Sequence, residues 1–274
     1  MKRLKWIAGG LVVAVVAVLV AGYAALAALD LESYRGEIER RAEQATGREL
    51  QLTGAMNLSM GFSPAVEVSG VSFANADWGS RAQMATIERF EVEVALLPLL
   101  TGDIRVSRLV LVKPDILLET GPDGQGNWAL GQAGGQPSDT AGARATGLPE
   151  ISGVRIEDAT VRYRDGQTGV DLVTNVAEAS LDTAGDGLAI RAQGTYQSVP
   201  FQLEGTVGAL SALLAGQGRY PLDLNVTAED TQLALTGALD QSGRDVSPDV
   251  EVTAQTGSLA NLTALSGLPD LRLP

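Results

Sequence analysis

The chain has 274 residues, of which 45% are hydrophobic and only 4% are aromatic. It therefore has enough hydrophobic residues to form a core, but that core must be built from small aliphatic side chains. It contains neither cysteine nor histidine, which excludes disulfides and thiolate metal sites and removes the commonest general base, so we expect no enzymatic activity, no metal and no cofactor. Three of the 20 basic residues lie in 1–29, leaving 17 against all 33 acidic residues in the remainder; this acidic balance repels phosphate and argues against nucleic-acid binding.

The first element is an apolar segment, residues 7–29, without a charged side chain. Its 23 positions exceed the roughly 20 that a helix needs to cross a bilayer. Three basic residues precede it and Asp30 follows it, which predicts a cytoplasmic N-terminus and places residues 30–274 across the membrane. A cleaved signal peptide, with a cleavage site near Ala25-Leu26-Ala27, is the alternative; we favour the uncleaved anchor because signal-peptide apolar regions are usually shorter.

The stretch LESYRGEIERRAEQATG, 31–47, predicts a helix with one apolar stripe, with Asp30 as N-cap and Gly47 just past its C-terminus. We expect this amphipathic helix to pack on its own domain; a partner-binding helix is the alternative. The stripe consists of Leu31, Tyr34, Ile38, Ala42 and Ala45.

From residue 49 onward the hydrophobic period changes to two, as in ERFEVEVAL, 88–96, where apolar and polar residues alternate. A single polar face predicts antiparallel rather than buried parallel sheet, so the fold class is mainly β. The predicted strands are 49–60, 64–74, 84–96, 103–112, 114–120, 154–164, 168–184, 187–196, 200–208, 221–228, 231–239 and 248–255.

The Gly/Ala-rich segment 131–147 has no periodicity and predicts a flexible loop at a boundary between two segments, 30–130 and 148–274. Two short apolar stretches in the second segment, 210–216 and 258–267, resemble single helices.

Three stretches repeat a strand pattern with an interruption: VEVSGVSF at 66–73, IRVSRLVL at 104–111 and VRIEDATV at 154–161. In each, two residues separate two apolar pairs, which predicts a β-bulge that keeps both pairs on one face. The interrupting residues are Ser69-Gly70, Ser107-Arg108 and Glu157-Asp158. Such bends would curl the sheet.

A sheet with one apolar face must hide it against a second sheet, inside a barrel, or as the lining of a ligand groove. The residues alone leave core and groove equally open.

Two other patterns are assigned to turns. PDGQGNW, 122–128, lacks the glycine and glutamate of a calcium loop, so we predict a hairpin turn with Trp128 packed beneath it. The aspartates 165, 171, 182 and 186 are predicted to lie in solvated turns rather than to form a hydrolytic pair.

The order of these motifs resembles the N-terminal region of the AsmA family of bacterial envelope proteins, relatives of TamB. The resemblance rests on the basic tail and anchor, and then on ATGRELQLTG (45–54), PAVEVSGVSFANADWG (64–79), VALLPLLTGDIRVSRLVLVKPDILLE (94–119) and PDGQGNW. It continues in ISGVRIEDATVRYRDGQTG (151–169) and RYPLDLNVTAEDTQLALTGAL (219–239). It ends in SLANLTALSGLPDLRLP (258–274), which resembles a segment that in the family usually precedes further strands, so the resemblance spans essentially the whole chain. Family members are generally longer, so this chain is expected to be a fragment or a short paralogue.

The resemblance implies a chorein-like start to a curled antiparallel β-groove, anchored in the inner membrane of a Gram-negative bacterium with its bulk in the periplasm. It implies phospholipid transfer and a role in outer-membrane assembly or homeostasis, with acyl chains, other envelope proteins or further copies of the chain as partners. The alternative is an anchored structural module without lipid cargo. The lining predicted from the phase of the alternation is Val66, Val68, Val71, Phe73, Phe90, Val92, Val94, Leu96, Leu109, Leu111, Val161 and Tyr163.

Overall fold

A computed structural model describes residues 31–59, 63–95, 98, 105–130, 150–209, 212, 218–240 and 247–257. The anchor segment 7–29, the linker 131–147, the stretches 210–216 and 258–267, and Leu96 lie wholly or largely outside these residues. Within the described part of the chain, no helix is both long enough and apolar enough to cross a membrane.

The described chain is one open, curled sheet of 13 strands preceded by a single short helix. A 3₁₀ turn, Leu31–Tyr34, leads into α1, Arg35–Thr46. The strands are β1 Leu50–Leu52, β2 Met56–Ser59, β3 Ala65–Ala74, β4 Gln83–Val94, β5 Arg105–Thr120, β6 Glu150–Ile151, β7 Gly153–Asp165, β8 Asp171–Ala184, β9 Gly187–Tyr196, β10 Val199–Gly208, β11 Arg219–Ala228, β12 Thr231–Asp240 and β13 Ser247–Thr256.

The strands follow one another across the sheet in chain order, with β1 and β2 sharing one side of β3, and β6 lying beside β5. Every neighbouring pair is antiparallel, as the alternating pattern predicts, except that β5 pairs in parallel with β6 and β7. A parallel pair requires a long connection, and the predicted linker lies in that connection.

Two predicted strand boundaries are wrong. The predicted strand 49–60 is divided into β1 and β2, and the predicted pair 103–112 and 114–120 is the single strand β5, which runs through Pro114. Pro114 cannot donate to a ladder, yet it is almost fully buried within the strand. It is tolerated because the chain bends there: Lys113 has φ +49°.

This bend is part of a line that crosses five strands, which we call the crease. The crease consists of Gly70, Glu88, Lys113, Asp158 and Ala177, which occupy corresponding positions in β3, β4, β5, β7 and β8. None of the five forms a regular ladder pair, and Gly70 and Asp158 have φ of +63° and +54°. Because the flanking pairs keep their register on both sides, apolar residues three apart stay on one face.

The three predicted bulges are therefore of two kinds. Those at Gly70 and Asp158 lie on the crease. The one at Ser107 is a separate register shift between β4 and β5, because Glu93 pairs with Arg108 but Val94 pairs with Val106. In β5 the crease lies at Lys113, beyond the predicted repeat.

The helix does not bury its predicted apolar stripe. Tyr34 is 51% exposed and Ile38 is 40% exposed, although Leu31 packs on the sheet. The predicted C-terminal end is confirmed: Gly47 has φ +72° and its N–H donates to the Glu43 carbonyl over 2.7 Å.

A buried polar cluster fastens the end of the sheet where β5 finishes at Thr120. Asn75, Glu119 and Asn127 are 6%, 4% and 0% exposed. The Asn75 amide donates to Glu119 Oε1 over 2.7 Å, and the Ser80 N–H donates to the same oxygen over 2.8 Å. The Asn127 amide donates to Asn75 Oδ1 and to the Leu117 carbonyl, each over 2.9 Å.

Burial acts to raise the pKa of the Glu119 carboxyl, but hydrogen bonds from Ser80 and Asn75, together with the charge of Arg164, outweigh it and hold that pKa below its ordinary value. The carboxylate therefore remains ionised inside this cluster at neutral pH.

Candidate functional site: the apolar face of the sheet

Apolar side chains form continuous rows across one face of the sheet, perpendicular to the strands. Residues that pair directly in a ladder point to the same face, so the register defines each row. One row, two residues from the crease in the strands that carry it, contains Met56, Val68, Phe90, Leu111, Ile156, Ala179, Ala192, Leu203, Val226, Leu233 and Ala254. We call it the central row; its members come from successive strands and all of them are apolar.

A second row runs parallel to the first, two residues farther along each strand. It contains Leu58, Val66, Val92, Leu109, Val154, Leu181, Ile190, Gly205, Leu224, Leu235 and Val252. Eleven strands contribute to each row, and at about 4.8 Å between strands the rows extend roughly 48 Å along the curved sheet.

The predicted lining residues that the structure describes belong to this face. Val92 pairs with Leu109, and Phe90 pairs with Leu111. Across the crease, Phe73 pairs with Ala85, and Val161 lies between Ile116 and Thr174. Val94 lies at the margin opposite Val106.

At one end the face is an ordinary core. Leu52, Met56 and Val68 are buried to 6%, 7% and 7% exposure and pack with Leu31, Leu50, Val66 and Val71. Three predicted lining residues, Val66, Val68 and Val71, therefore lie in or against this buried cluster. Phe90, Val92, Leu109 and Leu111 are only partly buried.

A concave apolar pocket lies farther along the same face, where β8 to β12 meet. Its volume is about 260 Å³. It is lined by Thr174, Tyr196, Phe201, Leu203, Val226, Ala228, Thr231 and Leu233. None of these residues was predicted as lining, although the alternation in β10 to β12 was the available signal.

An aromatic pair lies at the Thr120 end of the face. Tyr163 pairs between Leu118 and Leu172, and the centre of its ring is 6.4 Å from that of Trp128. The Trp128 indole lies directly against Gly126 of its own turn, where it leaves no room for a side chain. The ring is 46% exposed, and the fully buried residue of that turn is Asn127.

The opposite face carries most of the charge. Exposed ion pairs join strands across this face. Lys113–Glu88 at 2.9 Å and Arg155–Glu178 at 2.6 Å link neighbouring strands, and Arg219–Asp249 at 2.6 Å links β11 to β13 across β12. Each exposed pair contributes little to stability. This face therefore carries the charged pairs, although Val110 and Leu117 of β5 are buried on it.

The aspartates that were considered for hydrolysis are split between the two ends of β8. Asp165 accepts hydrogen bonds from the N–H groups of Gln167 and Thr168, which lower its pKa, and a hydrogen bond from Arg162 lowers the pKa of Asp171. Asp182 and Asp186 lie near the other end of β8. Within the described residues, no group of three or more acidic side chains is arranged to hold a metal ion.

Comparison with known proteins adds a second kind of observation to this geometry. The family model for the AsmA family matches residues 1–263, almost the whole chain. The chain belongs to the AsmA family. A member from Escherichia coli (strain K12), the AsmA family protein YhjG, is 22% identical over 226 residues.

That match covers 76% of this AsmA-family chain but only 33% of YhjG. The chain thus spans about a third of the length of the curated relative that it matches. Family membership points to a function in the cell envelope.

Proposed function

We propose that this AsmA-family chain is an inner-membrane-anchored, periplasmic protein that transfers phospholipids by holding their acyl chains against the apolar face of its sheet. In this proposal it has no enzymatic activity, its N-terminus is cytoplasmic, and it serves outer-membrane assembly and homeostasis. The observation that carries the proposal is the central row, which remains apolar through eleven successive strands.

The physical basis is a balance between two apolar environments. Burying one methylene is worth about 0.8 kcal/mol, so ten buried methylenes contribute about 8 kcal/mol. An acyl chain already has this stabilisation within a bilayer. Moving to the sheet therefore exchanges one apolar contact for another, and the exchange is reversible. The polar headgroup would remain in water at the open margin.

The partial exposure of the lining supports a ligand over a filled interior. Phe201 and Leu203 border an open pocket, and Val252 is 61% exposed. The buried cluster around Leu52 and Val68 favours a structural role for the first three strands. The lipid-holding part is therefore assigned to β4 and the strands that follow it.

Site-specific photo-crosslinking in growing cells tests this assignment. A photoreactive amino acid at Val92 or Leu203 should label phospholipid. Its neighbour at Glu91 or Gln202, on the same strand but the opposite face, should label at least about tenfold less. Equal labelling at both members of each pair, or labelling by protein alone, would contradict lipid holding.

A further inference from the structure

Large apolar side chains that remain exposed are concentrated at one corner of the molecule. In the described part of the chain six large hydrophobic residues are exposed, and five of them lie in or beside α1 or in two loops that meet near its C-terminal end. We call these five the aromatic corner: Tyr34, Ile38, Trp78, Trp128 and Leu130, each 40–51% exposed. Single exposed apolar side chains are common, but a group of them indicates a contact surface.

The two tryptophans of the aromatic corner lie on the same turn. A Cβ placed on Gly121 would be 3.6 Å from the Trp78 ring, and the Trp128 ring leaves no room for one on Gly126. The turn 121–126 therefore has an indole against each of its ends. Both indoles remain about half exposed there.

The buried polar cluster holds the two tryptophans in place. Asn75 begins the loop that carries Trp78, and Asn127 directly precedes Trp128. The two asparagine side chains are joined by the hydrogen bond from the Asn127 amide to Asn75 Oδ1. Two loops fastened from beneath in this way present their indoles in fixed positions. Such order gives a side chain in water no advantage, whereas a preorganised contact surface binds more tightly.

The beginning of the helical segment contributes the other side of the corner. Arg35 donates to the backbone of the first strands, and Glu39 accepts from it. Tyr34 and Ile38, each one position earlier in the chain, are left exposed. The sheet thus leaves a large part of the predicted apolar stripe uncovered.

We propose that the aromatic corner lies on the surface of the membrane that anchors the chain, with both indoles at the level of the lipid headgroups. This inference rests on the proposed function, which supplies the anchor and the acyl cargo. An indole combines an apolar ring with one N–H donor, and it favours the boundary between hydrocarbon and water.

The position of α1 places this corner close to the proposed anchor. The apolar segment 7–29 ends just before the turn Leu31–Tyr34, and the 12 residues of α1 then cover about 18 Å. Beyond the helix, Arg48 Nη2 donates to the Asn127 carbonyl over 3.4 Å, one residue before Trp128. The chain therefore reaches the turn that carries both indoles within about one helix length of the membrane.

The corner is also continuous with the apolar face of the sheet. The Trp128 ring is 6.4 Å from the ring of Tyr163, which pairs between Leu118 and Leu172 on that face. An acyl chain that leaves the bilayer beside Trp128 would pass from indole to tyrosine to the face over apolar surface alone. A lipid route needs this continuity, and a contact with a protein does not.

Charge does not drive the contact. The segments 31–49, 75–81 and 121–130 together contain five arginines and seven acidic residues, a balance of −2. An anionic surface does not attract such a corner, so insertion of the indoles has to supply the contact. A larger fraction of anionic lipid should therefore not strengthen it.

Quenching of tryptophan fluorescence by brominated lipid tests the proposal. The chain has three tryptophans, so replacing two of them with phenylalanine gives full chains that retain Trp6, Trp78 or Trp128 alone. Each is reconstituted in phosphatidylcholine vesicles whose acyl chains are brominated near the headgroup. Compared with unbrominated vesicles, the fluorescence of Trp78 and of Trp128 should fall at least about twofold. Trp6 lies beside the apolar segment and reports insertion of the anchor independently.

The matched control is a tryptophan placed away from the corner. All three native tryptophans are replaced with phenylalanine, and Gln202→Trp is introduced on the opposite face of β10. This chain should not be quenched. Circular dichroism checks that the four chains share one fold.

Quenching of Trp78 and Trp128, without quenching of the control, supports the proposal. Quenching of Trp6 alone would overturn it, whether the corner is solvated or covered by protein. Quenching of the control as well would also overturn it, because the contact would not be confined to the corner. No quenching at any native tryptophan would overturn it together with the proposed anchor. Lipid labelling at Val92 and Leu203 is measured separately, so failure of this inference is distinguishable from failure of lipid holding.

Discussion

Replacing Asn127 with alanine removes three side-chain hydrogen bonds from the polar cluster at the Thr120 end of the sheet. The amide donates to the Leu117 carbonyl and to Asn75 Oδ1, and its oxygen accepts the Glu119 N–H over 3.1 Å. Asn75 Oδ1 keeps a second partner, the Ala76 N–H at 2.8 Å. The Leu117 carbonyl and the Glu119 N–H lose the partner that Asn127 supplies.

A buried group without its partner costs about 1–3 kcal/mol, so two such groups cost roughly 2–6 kcal/mol. The small cavity left by an alanine can admit water and reduce this, and we expect a loss of about 3 kcal/mol in the free energy of unfolding. For a domain of this size, 1 kcal/mol lowers Tm by about 2–4 °C, so Tm should fall by about 6–12 °C.

Thermal unfolding of the full chain, followed by circular dichroism at neutral pH, measures this loss. Asn225→Ala is the matched control, because Asn225 is exposed on β11 and should shift the free energy by no more than about 0.5 kcal/mol. A Tm for Asn127→Ala within about 2 °C of this control would refute the reasoning, since it would mean that the buried amide does not fasten this end.

Two further predictions concern ionised groups. Because the pKa of Glu119 is lowered in the folded chain from an ordinary value of 4.5, its contribution to stability is present above that pH and is lost as pH falls through the folded pKa. Tm of the unmodified chain should therefore exceed that of Glu119→Gln at pH 7, and the gap should shrink as pH falls below 4.5; parallel curves would contradict this. At the edge of the sheet formed by β1 and β2, Glu39 Oε1 accepts the Leu52 N–H over 2.8 Å, so Glu39→Ala should speed hydrogen exchange of the Leu52 amide by about tenfold, equivalent to about 1.4 kcal/mol. Glu39→Gln, which keeps an acceptor oxygen, should change it less, and equal exchange in both variants would count against edge capping by this side chain.

The phase of the alternation predicted which side chains share a face in β4 and β5. In β4 and β5, Val92 and Leu109 were placed on one face from their own neighbours alone, and the ladder pairs them. This works because side chains in a strand alternate with a fixed period of two. The phase does not reveal what covers a face, so Val68 was predicted as lining but is buried in the first core cluster.

The features that sequence reasoning missed depend on contacts between distant residues. Asn75, Glu119 and Asn127 are separated by up to 52 positions, and each by itself resembles a loop or strand polar residue. The prediction divided β5 into two strands, of which the second began at Pro114. Its neighbour Lys113 lies on a line set jointly by five strands, which no single segment encodes.

For the helix, the sequence pattern predicted the wrong side chains as its contacts with the sheet. Its apolar residues predicted hydrophobic packing, but Tyr34 and Ile38 remain substantially exposed while Glu39 and Arg35 make the contacts to the sheet. Backbone groups at a sheet edge are hydrogen-bond partners for charged side chains. Hydrophobic periodicity does not predict such hydrogen bonds.

The central row has a consequence for movement. A shift of about 4.8 Å across the strands replaces each contact of a bound apolar chain with a chemically similar one. The interaction energy of the bound chain therefore changes little with its position along the row. An acyl chain held as we propose would slide by thermal diffusion rather than by discrete jumps between sites. A track of this kind has no preferred direction. Net flow along it would follow a difference in lipid supply or demand between its two ends.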